Sequence, residues 1–119
     1  MRLTADDVTA YGASVALLAV HSSISLNDAI MVGTTGKRSK SEDHRRAAVE
    51  LEKLCKTVNV KDKKGIQHLI WLLSRKTDVA YGTERLDSVL LLAARDRAER
   101  FQVWAYNNFK GVLRASSET

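Results

Sequence analysis

The sequence predicts an all-α protein, a four-helix up-and-down bundle, on three observations. Proline is absent from all 119 residues, which removes the strongest helix breaker. Apolar residues recur at three- and four-residue spacing through most of the chain, the period of one helix face. No stretch alternates polar and apolar as a half-buried strand does. The length suits one domain, residues 1–119, and the 45% apolar and 28% charged shares are ordinary for a globular chain.

The first helix is expected over about 4–33. Thr4 to Asp7 reads as a capping box with acids in the first turn, where they complement the helix dipole. One stripe follows Val8, Tyr11, Val15, Leu18, Leu26 and Ala29, completed by Ser22. A second stripe, roughly opposite, follows Ala13, Leu17, Val20, Ile24 and Met31. Two apolar faces imply burial on both sides, and in a domain this small the second side points to a partner subunit, hence a homodimer. Gly33 and Gly36 close the helix.

A second, shorter helix is expected over about 41–58, capped by Ser39 or Ser41 and burying Ala47, Leu51, Leu54 and Val58. Asn59 to Lys64 connects it to a third helix over about 65–77, which presents Ile66, Leu69, Ile70 and Leu73. Thr77 to Gly82 is a second connector, with Thr83 as N-cap of the next element. The fourth helix, long again over about 83–114, carries Leu86, Leu90, Ala94, Ala98, Phe101, Ala105, Phe109 and Val112 on one stripe. The tail from Ala115 to Thr119 is expected to fray.

The charge is unevenly placed. Lys37 to Lys64 holds ten Lys or Arg against five Asp or Glu, a net of +5. The rest of the chain carries nine of each, so all the excess sits in one loop and the helix after it. Clustered cations are the footprint of a polyanion partner, and the same pattern also fits a solvated helix face. The single cysteine, Cys55, with three scattered histidines makes no metal framework. Asp6 and Asp7 stand where a signal peptide needs basic residues, and no apolar run is expected to approach a membrane span. The expectation is a cytoplasmic chain with no membrane partner, no metal and no cofactor.

The stretch from Gly33 to Arg46 holds the main chemical candidates. With a cap at Ser39 or Ser41, His44 lies in the first turns of a helix, where the dipole and the neighbouring Lys40, Arg45 and Arg46 disfavour its protonation. A neutral imidazole is what a general base needs, and free backbone N–H groups at the helix start can seat a phosphate. Arg38, six positions before His44, supplies a bidentate clamp for charge on the non-bridging oxygens. Base, seat and clamp suffice for metal-free RNA cleavage by a 2′-hydroxyl. Lys37, Ser39, Lys40, Arg45 and Arg46 are the candidate substrate contacts. On the first helix, His21, Ser25 and Asp28 share one face and offer support from below, or a hydrogen-bonded polar strip. Lys76 and Tyr81 flank the second connector as further supporting positions, or as a dipole-complementing cation and a packing anchor. His68, Trp71 and Trp104 read as packing or surface residues.

These features together resemble the HEPN-domain proteins of bacteria. The resemblance runs through Val20-His-Ser-Ser-Ile-Ser-Leu-Asn-Asp-Ala29, Gly36-Lys-Arg-Ser39, the spaced His44 and Leu72-Leu-Ser-Arg-Lys-Thr-Asp-Val-Ala-Tyr-Gly82, from about Ala13 to Ala105. It implies a four-helix bundle, commonly dimeric, with its site near the dimer interface. Many members are metal-independent ribonucleases of toxin–antitoxin or defence systems that use an Arg and a His separated by four to six residues, the positions taken here by Arg38 and His44, which are separated by five. Others pair with a small nucleotidyltransferase, and some are not nucleases. Two positions depart from the commonest form: Ser39 follows the Arg where Asn or Asp is usual, and no Tyr stands two after His44. The expected function is RNA binding with metal-independent cleavage. The alternative is a non-catalytic dimeric module that binds a protein, such as a nucleotidyltransferase, or a nucleotide.

Overall fold

The computed structural model describes residues 5–36, 44–81 and 88–118, with side chains described over 14–36, 46–75 and 89–114. Four helices pack as a compact bundle: α1 Ala5–Thr35, α2 His44–Thr57, α3 Lys64–Tyr81 and α4 Ser88–Glu118. Their number, order and relative lengths are those expected. A 31-residue helix spans about 46 Å at 1.5 Å per residue, so α1 and α4 set the 49 Å long axis of the molecule.

Residue pairs fix the helix directions. Ala16 packs with Ala94 and Gly33 faces Val112, so α1 and α4 run the same way. Gly65 faces Trp104 and His68 meets Arg97, so α3 runs against α4. α1 touches all three other helices.

Three helix ends move from their expected places. α1 runs through Gly33 and stops at Gly36, whose φ of +74° lets its N–H donate back to the Val32 carbonyl at 2.8 Å. That is the αL cap for which glycine is best suited. α3 continues across the expected connector to Tyr81, since nothing from Thr77 to Tyr81 breaks a helix. α4 likewise stays helical through Glu118 where fraying was expected. The caps read at Thr4, Ser39, Ser41 and Thr83 lie outside the described residues.

The core corrects several assignments. The buried residues of α1 are Ala16, Val20, Ser23, Asn27, Ile30 and Met31, a seam that shares Val20 and Met31 with the second expected stripe and otherwise runs between the two. Leu18 is left 68% exposed. Val58 and Ile70 are also exposed, while Leu72 and Trp104 are buried. Within α4 the helix bends at Phe109 (φ −129°, ψ 28°). The Asn108 side chain donates to the Trp104 carbonyl there at 2.9 Å, and a side chain entering the carbonyl ladder is a recognised cause of bending.

One detail of the sequence reading changes: an apolar run does approach the length of a membrane span. Ser14–Thr35 of α1 is a 22-residue stretch of mean hydropathy 1.5, long and apolar enough by length and composition to cross a bilayer. Only a third of its apolar window is buried by the bundle.

Candidate nucleic-acid interface

α2 is the element that organises the basic segment. Ala48, Leu51, Leu54 and Cys55 face the core, which turns Arg46, Lys53 and Lys56 outward. The helix closes on Asn59, which adopts φ 63°, with the Val60 N–H donating to the Cys55 carbonyl at 2.8 Å. This is the six-to-one bond of a Schellman ending, with asparagine taking the left-handed position that glycine usually fills.

Asp62 then fastens the connector. Its carboxylate Oδ1 accepts the Lys64 N–H at 3.0 Å, and its backbone carbonyl accepts the Trp104 indole N–H at 2.7 Å. Lys61, Lys63 and Lys64 thus stand on a turn tied to the core. All six described cations of the segment, Arg46, Lys53, Lys56, Lys61, Lys63 and Lys64, are exposed. Among the described residues their only ion pair is Lys63 with Glu52 at 3.8 Å, too long and too exposed to neutralise the surface.

The expected catalytic pair fares differently from the charge. Lys37, Arg38, Ser39 and Lys40 lie outside the described residues. The backbone of His44 opens α2, while its side chain and that of Arg45 lie outside. Lys76 and Tyr81 are in the backbone of α3, with side chains also outside. His21 is exposed and Asp28 half-buried on α1. Among the described residues no three His, Cys, Asp or Glu side chains gather as metal ligands.

Two grooves lie among the described residues. Between α1 and α4, a groove of about 580 Å³ is lined by Leu18, Ser22, Leu26, Arg95, Gln102 and Tyr106 among others. Between α3 and α4, one of about 600 Å³ takes in Asp62, Lys64, His68, Asp96 and Arg100. Beside it Arg97 reaches from α4, its Nη1 3.3 Å from His68 Nδ1 and its guanidinium 5.5 Å from the Trp71 ring. Arg75 stands 5.7 Å from the same ring. Burial pushes the His68 pKa down, Arg97 and Arg100 push it further, and Asp96 opposes them.

Sequence reasoning missed this cluster, which joins residues 29 positions apart. A signal was present: Lys64, His68, Trp71 and Arg75 follow four-three-four spacing along one face of α3.

The fold and charge define a class, a small helical bundle with one electropositive face. The chain matches no protein-family model, no curated protein and no solved structure.

Proposed function

We propose that this chain is a HEPN-like RNA-binding protein that works in the cytoplasm, with Arg38 and His44 as a metal-independent endoribonuclease pair of a toxin–antitoxin or defence system. The observation that carries the binding half is the segregation of the whole net charge of +5 into residues 37–64, with every described cation of that segment exposed. Such a surface releases counterions from a phosphate backbone.

In the catalytic half, His44 takes the proton from a ribose 2′-hydroxyl as its oxygen attacks the adjacent phosphorus. The bond from phosphorus to the 5′ oxygen breaks, that oxygen is protonated, and a 2′,3′-cyclic phosphate remains. Arg38 and the free N–H groups at the start of α2 hold the charge on the non-bridging oxygens. The test is incubation with total RNA in EDTA: cleavage by wild type and none by His44→Ala supports the pair. Equal traces from both proteins refute it, whatever happens to binding. For the binding half, Lys53→Glu with Lys56→Glu lowers RNA affinity and flattens its salt dependence by about 0.7 log units per lost contact. An unchanged slope refutes the surface.

The second reading is a dimeric interaction module, and one observation favours it. The α1–α4 groove is rimmed by exposed apolar side chains, Leu18 at 68% and Tyr106 at 50%, and Leu92, 64% exposed, stands one turn before Arg95 on the same face of α4. A second copy, or a nucleotidyltransferase-type protein, would cover them. Light scattering of wild type against Leu18→Glu decides: a dimer that the variant splits supports the module, and a monomeric wild type refutes self-association.

A further inference from the structure

We infer that the α3–α4 seam is a seat for a phosphate-class anion, held by Arg97, His68 and Lys64.

The carboxylates of this region are already engaged. Asp62 accepts the Lys64 N–H at 3.0 Å, Asp96 pairs with Arg100 at 2.9 Å, and Glu99 pairs with Arg95 at 3.2 Å. Arg97 differs from these arginines: among the described residues it has no carboxylate partner. Its guanidinium lies over Trp71 at 5.5 Å, and one N–H donates to His68 Nδ1 at 3.3 Å. A guanidinium has five N–H donors, so most of this fork is unspent while its plane is held by the indole. An arginine fixed in this way loses little freedom when it grips an oxyanion bidentately.

His68 is arranged to help. Arginine is always protonated and can only donate, so the contact makes His68 Nδ1 the acceptor and puts the ring proton on Nε2. That leaves a second donor for the groove that His68 lines together with Lys64 and Arg100. The local field has the same sign as the geometry: two guanidiniums, Arg97 and Arg100, outweigh Asp96 in disfavouring an imidazolium. An anion in the seat cancels that field and eases protonation of His68, which adds the second proton at Nδ1 and replaces the Arg97–His68 contact by donation from both side chains to the anion. Trp71, with Arg75 and Arg97 over its ring and partly packed in the core, is occupied. The seat therefore takes a phosphate group rather than a stacked base.

The phosphate has two possible sources, an RNA backbone or a free phosphate or mononucleotide. Only the RNA source rests on the function proposed above. The experiment follows the His68 ring resonances by NMR near pH 6.5 during titration with inorganic phosphate, against chloride at matched ionic strength. Saturable shifts with phosphate, a His68 midpoint moved to higher pH, and loss of both in Arg97→Gln are expected. Equal effects of the two salts, or saturation kept in Arg97→Gln, overturn the seat. Arg97→Lys and Lys64→Gln give milder versions of the same loss, so the test survives if Arg97→Gln melts early by circular dichroism.

A single-stranded oligoribonucleotide then separates the sources. If the backbone fills the seat, Arg97→Gln weakens RNA binding and reduces its salt slope by about 0.7. If a free phosphate or nucleotide fills it, RNA affinity stays unchanged while the phosphate response is lost. The Lys53→Glu, Lys56→Glu protein retains the phosphate response in either case, so failure of the RNA surface and failure of the seat give different results.

Discussion

Replacing Gly65 by alanine tests whether α3 is seated directly on the aromatic core. A Cβ built at Gly65 falls on the indole of Trp104, against Cδ2, Cε3 and Cγ. The indole has little room to retreat. Trp104 is 5% exposed, stacked on Phe101 and edge-on to Phe109, with both centroid distances 5.8 Å. Its N–H is held by the Asp62 carbonyl at 2.7 Å. Overpacking of this kind costs about 1–3 kcal/mol, and losing the indole hydrogen bond adds about 1 kcal/mol. Alanine returns at most about 1 kcal/mol of helix propensity, so the net loss is about 1–3 kcal/mol. For a domain of this size, each kcal/mol lowers Tm by about 4 °C, giving a drop of about 4–12 °C. Urea unfolding followed by tryptophan fluorescence reads the loss, and repeating it in a Trp104→Phe background isolates the contact as a coupling energy. A Gly65→Ala protein as stable as wild type, or one equally destabilised in both backgrounds, refutes the reasoning.

Three further outcomes follow from the same geometry. The His68 pKa is depressed in the folded chain, so below its ordinary value of 6.5 the unfolded chain takes up the proton first; stability falls as pH drops from there towards the folded pKa. The pH dependence of urea midpoints shows this, and His68→Gln flattens it; a variant with the wild-type profile contradicts the assignment. Burial pushes the Cys55 thiol up, with Glu52 adding and Lys63 opposing, so a thiol reagent modifies the native protein at least ~100-fold more slowly than the unfolded chain. Comparable rates would place Cys55 outside the core. Asn59→Ala costs about 1–2 kcal/mol at its φ of 63°, whereas Asn59→Gly is neutral or stabilising in the same melts, and an alanine variant as stable as wild type rules out the left-handed cap.

Much of the fold was legible because helices leave a periodic record. Phe101, Ala105 and Phe109 were read on one stripe and are all buried; Leu51 and Leu54 likewise. The failures have physical causes. The packed seam of α1 contains Ser23 and Asn27, and Ser23 hides its hydroxyl by donating to the Ala19 carbonyl at 2.9 Å. A hydrophobicity count passes over such positions and settles on Leu18, which is apolar but faces outward. The connector expected from Thr77 is helix through Tyr81 because no glycine or proline stands between them to stop it. Arg97 and His68 escaped because helical spacing relates neighbours on one helix and says nothing about which residues two helices bring together. Of the expected site, Arg46 is exposed on α2, while Lys37, Arg38, Ser39, Lys40 and the side chains of His44 and Arg45 fall outside the described residues.

The basic connector and the phosphate seat share a hinge point in Asp62. Its carbonyl ties the turn to Trp104, and its carboxylate holds the Lys64 N–H, so Lys64 belongs both to the exposed cations that lead from α2 and to the groove beside His68. A backbone lying along Arg46, Lys53, Lys61 and Lys63 would reach Lys64 and continue to Arg97, passing Glu50 between the first two. One surface then separates into two electrostatic parts. The α2 face has solvated lysines, whose attraction is long-ranged and fades with salt. The seam has a guanidinium held on an indole, whose grip is short-ranged and geometric. If the RNA backbone fills the seat, raising the salt concentration weakens the contribution of Lys53 and Lys56 before that of Arg97, and the seam sets the affinity that remains at high salt.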